Sequence, residues 1–124
     1  MFFAYFDGDD IGPALELLLL DEHLQEAKEY SRSIITAFEA TRIALVEKFN
    51  ADIVIAGGDD LLVCFPKDAM NEADIETLRK EFFEECGRSI SVGVGSSAAE
   101  AASNLRRAKL LGKDRLVTPP EVTR

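Results

Sequence analysis

The 124-residue sequence predicts an α+β fold whose core follows the ferredoxin-like plan, β-α-β-β-α-β, with an antiparallel sheet that carries helices on one face. Three observations support this prediction. An aromatic, uncharged strand opens the chain, a glycine-led hairpin lies near its middle, and amphipathic helical segments follow each of them. An extra C-terminal helix and an edge strand are expected after this core. Because the sequence contains no internal repeat or linker, residues 1–124 are predicted to form one domain.

The first strand is predicted over residues 2–6, where an apolar, aromatic run precedes a turn rich in aspartate and glycine. Pro13 is expected to open the following helix as its first residue. Asp21 is expected to cap a helical segment that continues to Phe49. This region is either one long helix or two helices separated near Leu20. Its buried stripe is predicted to contain Leu24, Ala27, Ile34, Ile35, Phe38, Leu45, Val46 and Phe49.

The second half of the chain alternates strands and helices. Its elements are predicted at residues 52–56 and 61–65 (strands), 72–86 (helix), 89–95 (strand), 98–111 (helix) and 115–118 (edge strand). Gly57 and Gly58 lie in the turn between the first two of these strands, where we expect the positive φ of a tight hairpin. Phe83 is expected on the buried side of the first of these helices, and Gly112 is expected to end the second.

Composition and charge narrow the class of function. A net charge of −9 argues against stable nucleic-acid binding, since an acidic surface repels phosphate backbones. No apolar run reaches the ~18 residues that a membrane span needs, and the N-terminus lacks the basic region of a secretory signal, so a cytoplasmic protein is expected. Cys64 and Cys86 lack metal-site spacing and are expected to be reduced core or near-core residues, while His23 is expected to be solvated.

Two acidic turns carry the first functional signal, because in the predicted plan the first two strands run in the same direction with the third between them. The end of the first strand and the tip of the hairpin then share one sheet edge, which places Asp7 beside Asp59 and Asp60. Neighbouring carboxylates repel one another unless a cation lies between them, and oxygen ligands suit Mg²⁺ or Mn²⁺. A two-metal site of this kind can hold a triphosphate and activate a ribose hydroxyl. The alternative is a solvated hairpin with no such role.

Glycines and basic residues near these turns indicate a place for phosphates. Gly8 and Gly12 allow backbone N–H groups to approach phosphate oxygens, and the helix that follows favours anions at its N-terminus. Arg106, Lys109 and Lys113 share one face of the C-terminal helix. We interpret this face as phosphate-binding; the alternative is that these cations only complement the helix dipole.

Four segments together resemble a known family. Asp-Gly-Asp at residues 7–9 follows the first strand, and Gly-Gly-Asp-Asp at residues 57–60 forms the hairpin turn. Ser-Val-Gly-Val-Gly at residues 91–95 and Arg-Ala-Lys-Leu-Leu-Gly-Lys at residues 107–113 complete the pattern. Over nearly its whole length the chain resembles the palm domains of the GGDEF/CRISPR-polymerase superfamily, and it is most similar to the minimal CRISPR polymerases.

The resemblance implies roles for individual residues. Asp7, Asp59 and Asp60 match the catalytic carboxylates, which bind metal together with the Gly8 carbonyl. Lys109 and Lys113 match the two basic residues that grip the triphosphate, and Asp9 matches the second carboxylate of the first motif. The full nucleotide-binding set is expected to be Gly8, Asp9, Asp10, Ile11, Gly12, Gly58, Lys109 and Lys113.

Departures from the GGDEF pattern favour adenine over guanine. Leu15 and Leu24 stand at the positions of the guanine-reading Asn and Asp, while Lys48 and Ala51 replace the product-inhibition motif. An apolar pocket penalises guanine more, and adenine can be held by packing and a hydroxyl such as that of Ser31. The sequence therefore predicts a Mg²⁺- or Mn²⁺-dependent nucleotidyltransferase that uses ATP.

Its product is expected to be a cyclic di- or oligonucleotide second messenger, released with pyrophosphate and sensed by a downstream effector in antiviral signalling. A homodimer is expected, because two nucleotides must react on each other. Two alternatives stay open at this point: an idle palm that senses nucleotide and regulates a partner, and a cyclase that forms a cyclic mononucleotide.

Overall fold

The computed structural model describes residues 1–120, so residues 121–124 of the predicted domain lie outside the described part. The α+β class is confirmed. In chain order the elements are β1 (Phe2–Gly8), α1 (Ile11–Leu20), α2 (Leu24–Phe49), β2 (Asp52–Ala56), β3 (Asp60–Phe65), α3 (Glu72–Cys86), β4 (Ile90–Gly95), α4 (Ala98–Leu110) and β5 (Leu116–Val117).

One five-stranded sheet has the order β2-β3-β1-β4-β5. The strand β1 lies at its centre and pairs antiparallel with both β3 and β4, and β2 pairs antiparallel with β3. This is the predicted ferredoxin-like core, with β1 and β2 running in the same direction on either side of β3. The edge strand β5 pairs in parallel with β4, so the complete sheet is mixed.

The hydrophobic core lies between one face of the sheet and the helices α2 and α3. Alternation along the central strand directs Ala4 and Phe6 into this core, and their register partners on the neighbouring strands share the face. Phe38 of α2 and Phe82 of α3 meet edge to face with ring centroids 4.9 Å apart. The aromatic contact ties the two helices to each other over the sheet.

The C-terminal helix α4 covers the opposite face, so the expected one-sided arrangement applies only to the core helices α2 and α3. A Cβ built on Gly93 would lie 2.1 Å from the backbone nitrogen of Leu105, and one on Gly95 would lie 2.6 Å from that of Ala101. These glycines in β4 therefore let the backbone of α4 lie directly on the sheet. The contact decides where the basic residues of α4 are held.

We expect Gly93→Ala to lower the free energy of unfolding by about 3 kcal/mol, because the added methyl group meets backbone that cannot turn aside. Chemical denaturation followed by circular dichroism measures this loss. Gly12→Ala is the matched control, since its Cβ would meet no atom within 4 Å. Equal stability of Gly93→Ala and the wild type would contradict the close packing of α4.

The helical region before β2 is two helices, which settles the alternative left open by the sequence. Glu22 has φ 58°, and the N–H groups of Glu22 and His23 donate to the carbonyls of Leu19 and Leu18. This pair of bonds is a Schellman ending for α1, so Asp21 ends that helix and does not cap α2. The expectation for Pro13 is also wrong, since α1 begins at Ile11.

Several apolar side chains predicted to be buried are exposed. Ile35 is 65% exposed and Phe83 is 55% exposed, and Leu24 and Val46 are also exposed. Helical spacing alone did not distinguish them, because it shows that a helix has an apolar stripe but not which side of the stripe packs against the sheet and the neighbouring helices; the buried residues of α2 extend from Ala27 to Leu45. Nor is any residue of the leucine-rich α1 buried within the described chain.

Across residues 1–120, no helix has both the length and the hydropathy needed to cross a bilayer.

Candidate active site

The strand ends at one edge of the sheet bring the two acidic turns together. Asp7 and Asp60 are register partners on β1 and β3, and the Gly8 N–H donates to the Asp59 carbonyl at 3.0 Å. The topology argument thus placed these residues correctly, while their chemical roles stay predictions. The Gly8 N–H therefore already has a backbone acceptor, and the expected roles of Gly8 towards phosphate and metal stay predictions.

The Asp7 carboxyl is partly buried at this edge. Burial raises its pKa above the ordinary value, and the nearby carboxylates of Asp59 and Asp60 raise it further, against the opposing effect of the Lys109 ammonium. In the metal-free protein the ionised form of Asp7 is therefore destabilised, and a bound cation would stabilise it.

Gly57 allows the Asp60 carboxylate to reach this place. A Cβ on Gly57 would lie 2.2 Å from Asp60 Oδ1, so any larger residue would displace it. Within residues 1–120 the glycines with positive φ are Gly87 and Gly112, so the expected positive φ at Gly57 and Gly58 is wrong. The turn needs glycine because of close approach, not because of its backbone angle.

Tyr5 belongs to the site and was not identified from the sequence. Its hydroxyl donates to Asp60 Oδ2 at 3.2 Å, and burial together with the Asp60 carboxylate raises the pKa of the phenol. Tyr5 and Asp7 lie two residues apart on β1 and therefore on one face of the sheet. That alternation is the signal by which Tyr5 could have been found.

Lys109 reaches from α4 into a group of oxygen atoms. Its Nζ lies 3.1 Å from Asp7 Oδ2 and 2.6 Å from Asp9 Oδ1, and it donates to the backbone carbonyls of Asp7 at 3.2 Å and Gly8 at 3.1 Å. The expected triphosphate ligand thus holds the acidic turn in this state. Sequence spacing placed Lys109 on the correct face of α4 but could not show these partners.

Lys113 and Arg88 surround the start of α1. The Lys113 ammonium forms an ion pair with the Asp10 carboxylate, and the Arg88 guanidinium donates to the carbonyls of Asp9 at 3.0 Å and Asp10 at 3.4 Å. The first-turn N–H groups of α1, such as that of Ile11, have no partner within the helix. Arg88 was missed because its position before β4 carries no sequence signal.

Asp9 is the predicted nucleotide-binding residue that the structure places elsewhere. Only 2% exposed, its carboxylate accepts hydrogen bonds from Ser89, Ser91, Lys109 and the Asp114 N–H. Burial works to raise the pKa of Asp9, but these four hydrogen bonds outweigh it and lower the pKa. Both carboxylate oxygens of Asp9 are therefore satisfied inside the protein, while the expected nucleotide contact of this residue stays a prediction.

The oxygen atoms at this edge suit a hard cation. In the described part of the chain, no three His, Cys, Asp or Glu side chains form a ready metal-binding group, so the expected three-carboxylate cluster is not assembled. The Lys109 ammonium instead lies among the Asp7 carboxylate and the carbonyls of Asp7 and Gly8. Carboxylate and carbonyl oxygens are the ligands that hard cations prefer, so the donor set at this edge fits Mg²⁺ or Mn²⁺ in its chemistry.

An open groove between α1 and α2 contains the three residues expected to meet a base. Its volume is about 680 Å³, and its lining is formed by Leu15, Leu19, Leu24, Ala27, Lys28, Ser31, Arg32 and Ile35. Leu15 lies one helical turn beyond Ile11 at the start of α1. Tyr30 fixes the two helices by donating to the Ile11 carbonyl at 3.0 Å. The groove therefore begins about one turn from the acidic edge.

The family model of the minimal CRISPR polymerase domain matches residues 3–119. The chain belongs to this family. No curated protein sequence matches the chain. The minimal CRISPR polymerase match extends from β1 through β5, so it includes both acidic turns, the groove and the basic end of α4.

Solved structures similar to this minimal CRISPR polymerase are GGDEF domains. The GGDEF domain of DgcB from Caulobacter crescentus, in complex with c-di-GMP, is 16% identical with a TM-score of 0.58, covering 94% of this chain and 76% of that one. The active GGEEF domain of a diguanylate cyclase from Vibrio cholerae is 10% identical with a TM-score of 0.56, covering 98% and 83%. These similarities show the palm fold.

Proposed function

We propose that this protein is a metal-dependent nucleotidyltransferase that converts ATP into a cyclic di- or oligonucleotide and pyrophosphate. The observation that carries the proposal is the meeting of Asp7, Asp60 and Lys109 at one sheet edge, beside the start of α1. The product would act in the cytoplasm as an antiviral signal that a downstream effector senses.

Asp7, Asp59, Asp60 and the Gly8 carbonyl would hold Mg²⁺ or Mn²⁺. When bound, the ion would neutralise phosphate charge and make a ribose hydroxyl a better nucleophile. Tyr5 would keep the Asp60 carboxylate in place through the hydrogen bond that the free protein already contains.

The triphosphate would lie between the start of α1 and the end of α4. The N–H groups of Ile11 and Gly12 favour an anion, and Lys113 adds a flexible positive charge that can exchange Asp10 for phosphate. Gly58 would approach the phosphates from the hairpin. These contacts orient the α-phosphate towards the acidic edge, and Lys109 adds a second positive charge that binds the triphosphate.

We expect ATP to be used about tenfold better than GTP, because among residues 1–120 no carboxylate or amide side chain lines the groove between α1 and α2 to accept from the donors of the guanine edge. The measurement is a four-nucleotide competition with mass analysis of the products. A cyclic di- or oligoadenylate supports the proposal, whereas a product built mainly from guanine would overturn the adenine assignment. A cyclic mononucleotide, or no turnover, would favour the alternatives stated above.

A pair of variants in α1 and α2 tests the same base preference, and a third variant serves as their matched control. Leu15→Asn combined with Leu24→Asp supplies partners for guanine and should shift the ATP preference towards GTP. Leu17→Asn alters an exposed leucine of the same helix that lies outside the groove lining and should leave the preference unchanged.

We also expect a homodimer as the active species. Two-fold pairing of identical sites is the simplest way to place two hydroxyls against two α-phosphates. Analytical ultracentrifugation should show a dimer under assay conditions, and the specific activity should rise with enzyme concentration at low concentration. A strict monomer whose rate stays linear in enzyme while it forms cyclic product would contradict this expectation.

A further inference from the structure

The buried carboxylate of Asp9 connects its own turn to three other segments of the protein: the start of β4, the helix α4 and the turn after α4. Ser89 precedes β4, Ser91 lies within β4, Lys109 lies on α4, and Asp114 follows α4. The Asp9 side chain is 2% exposed, and each of these residues donates a hydrogen bond to it. A buried charge with this many partners fixes the relative positions of the segments that carry them.

Each carboxylate oxygen of Asp9 is connected to one of the two lysines expected to bind phosphate. Oδ1 lies 2.6 Å from Lys109 Nζ and accepts from Ser91 at 2.8 Å. Oδ2 accepts from Ser89 at 2.7 Å and from the Asp114 N–H at 3.0 Å. One oxygen therefore holds Lys109 directly, and the other holds the residue immediately after Lys113.

The segment that carries Lys113 has an unusual backbone. Gly112, Lys113 and Asp114 have φ values of 120°, 66° and 50° in succession. Residues with a Cβ disfavour this left-handed region and keep it only where surrounding contacts hold them. The Lys113 N–H donates to the Ala108 carbonyl of α4 at 2.9 Å. Asp114 is held by the bond from its N–H to Asp9 and by a salt bridge from its carboxylate to Arg79 of α3 at 2.6 Å.

We propose that Asp9 is a positioning residue that sets both Lys109 and Lys113 for the triphosphate and does not itself touch metal or nucleotide. The inference rests on the proposed function, since it concerns the same phosphate site. In this inference Asp9, the second aspartate of the first motif, orients the two lysines. The Arg79–Asp114 salt bridge helps to hold the segment that carries Lys113.

A double-mutant cycle tests this assignment. The probe is inorganic tripolyphosphate with Mg²⁺, measured by isothermal titration calorimetry below the melting temperature of every variant, so that the affinity refers to folded protein. Asp9→Asn should weaken binding about tenfold, because Lys109 loses its charged partner and the Lys113 segment loses a hydrogen bond. In a Lys109→Met background the same change should cost only about twofold to threefold, because one of its two targets is already gone.

The decisive comparison remains possible if Asp9→Asn alone fails to fold. The variant carrying both Asp9→Asn and Lys109→Met removes both partners of the buried ion pair, and it is compared with Lys109→Met. A further loss of tenfold or more relative to Lys109→Met would overturn the inference, as would unchanged tripolyphosphate affinity in folded Asp9→Asn. Asp68→Asn, an exposed aspartate at the other end of the sheet, is the control and should change nothing.

Binding of Mn²⁺ without phosphate separates positioning from metal ligation. Asp9→Asn should leave this affinity within about twofold of the wild type, whereas a loss of tenfold or more would overturn the inference and make Asp9 a metal ligand. The proposed function fails separately: if Lys109→Met and Lys113→Met each leave tripolyphosphate affinity unchanged, the phosphate site itself is wrong.

Discussion

Asp7→Asn and Asp60→Asn are each expected to reduce product formation about a thousandfold or more. Each change removes a charged oxygen from the edge where we propose the metal to bind, and charge stabilisation of about 4 kcal/mol in the transition state corresponds to roughly that factor. The measurement is the initial rate of product formation at saturating ATP and Mg²⁺. Asn keeps the size of the side chain, so the loss reports the charge and not the packing.

The fold of these variants should remain intact. Burial and the neighbouring carboxylates hold the pKa of Asp7 above its ordinary value, so its ionised form destabilises the metal-free protein at neutral pH. Asp7→Asn should therefore melt at the same temperature as the wild type or higher in EDTA. Asp68→Asn should retain full activity. If a variant loses activity only because most of it is unfolded, and its folded fraction turns over ATP at the normal rate, the proposed metal site is contradicted.

Lys113→Met is expected to raise the KM for ATP about tenfold with little change in kcat. Lys113 is a partly exposed cation whose present partner is Asp10, and its loss removes one charge-assisted hydrogen bond to phosphate. Contacts made equally in the ground and transition states appear in KM. Met retains a Cβ at a residue with φ 66°, so the backbone preference is nearly matched. Steady-state kinetics at saturating Mg²⁺ measures the effect.

Lys109→Met should combine a rise in KM with a lower melting temperature. Lys109 neutralises Asp7 and Asp9 at once, and removing it leaves a buried carboxylate without its charged partner. Arg107→Met is the control for both lysines, since it removes an exposed positive charge from α4, the helix that carries Lys109 and ends shortly before Lys113, and it should alter neither quantity. If neither lysine variant changes KM, the basic face of α4 only complements the helix dipole.

The features that were predicted correctly depend on local pattern and on general rules of topology. Alternation and turn residues defined the strands around the hairpin, and helical spacing with a terminal glycine defined α4. The ferredoxin-like plan then required β1 and β2 to run in the same direction, which brought Asp7 and Asp60 to one edge although they lie far apart in the chain.

The wrong expectations concern properties that neighbours in space decide. Helical spacing predicted Ile35 and Phe83 to be buried, yet both side chains are exposed in the described part of the chain. Gly57 was expected to need a positive φ, whereas the structure requires glycine there because a Cβ would collide with the Asp60 carboxylate. Local sequence reports how a side chain is oriented on its own element but not what lies opposite.

The sequence by itself determined the fold class, the order of elements and the meeting of the two acidic turns, because these follow from periodicity and chain direction. Only the tertiary structure decided that α4 covers the second face of the sheet, that Tyr5 bonds Asp60, and that the Asp9 carboxylate turns inward to Lys109. The physical reason is that a hydrogen bond forms only when its donor and acceptor lie within a few tenths of an ångström of the hydrogen-bonding distance. When the two atoms belong to distant segments, no local sequence pattern encodes that distance.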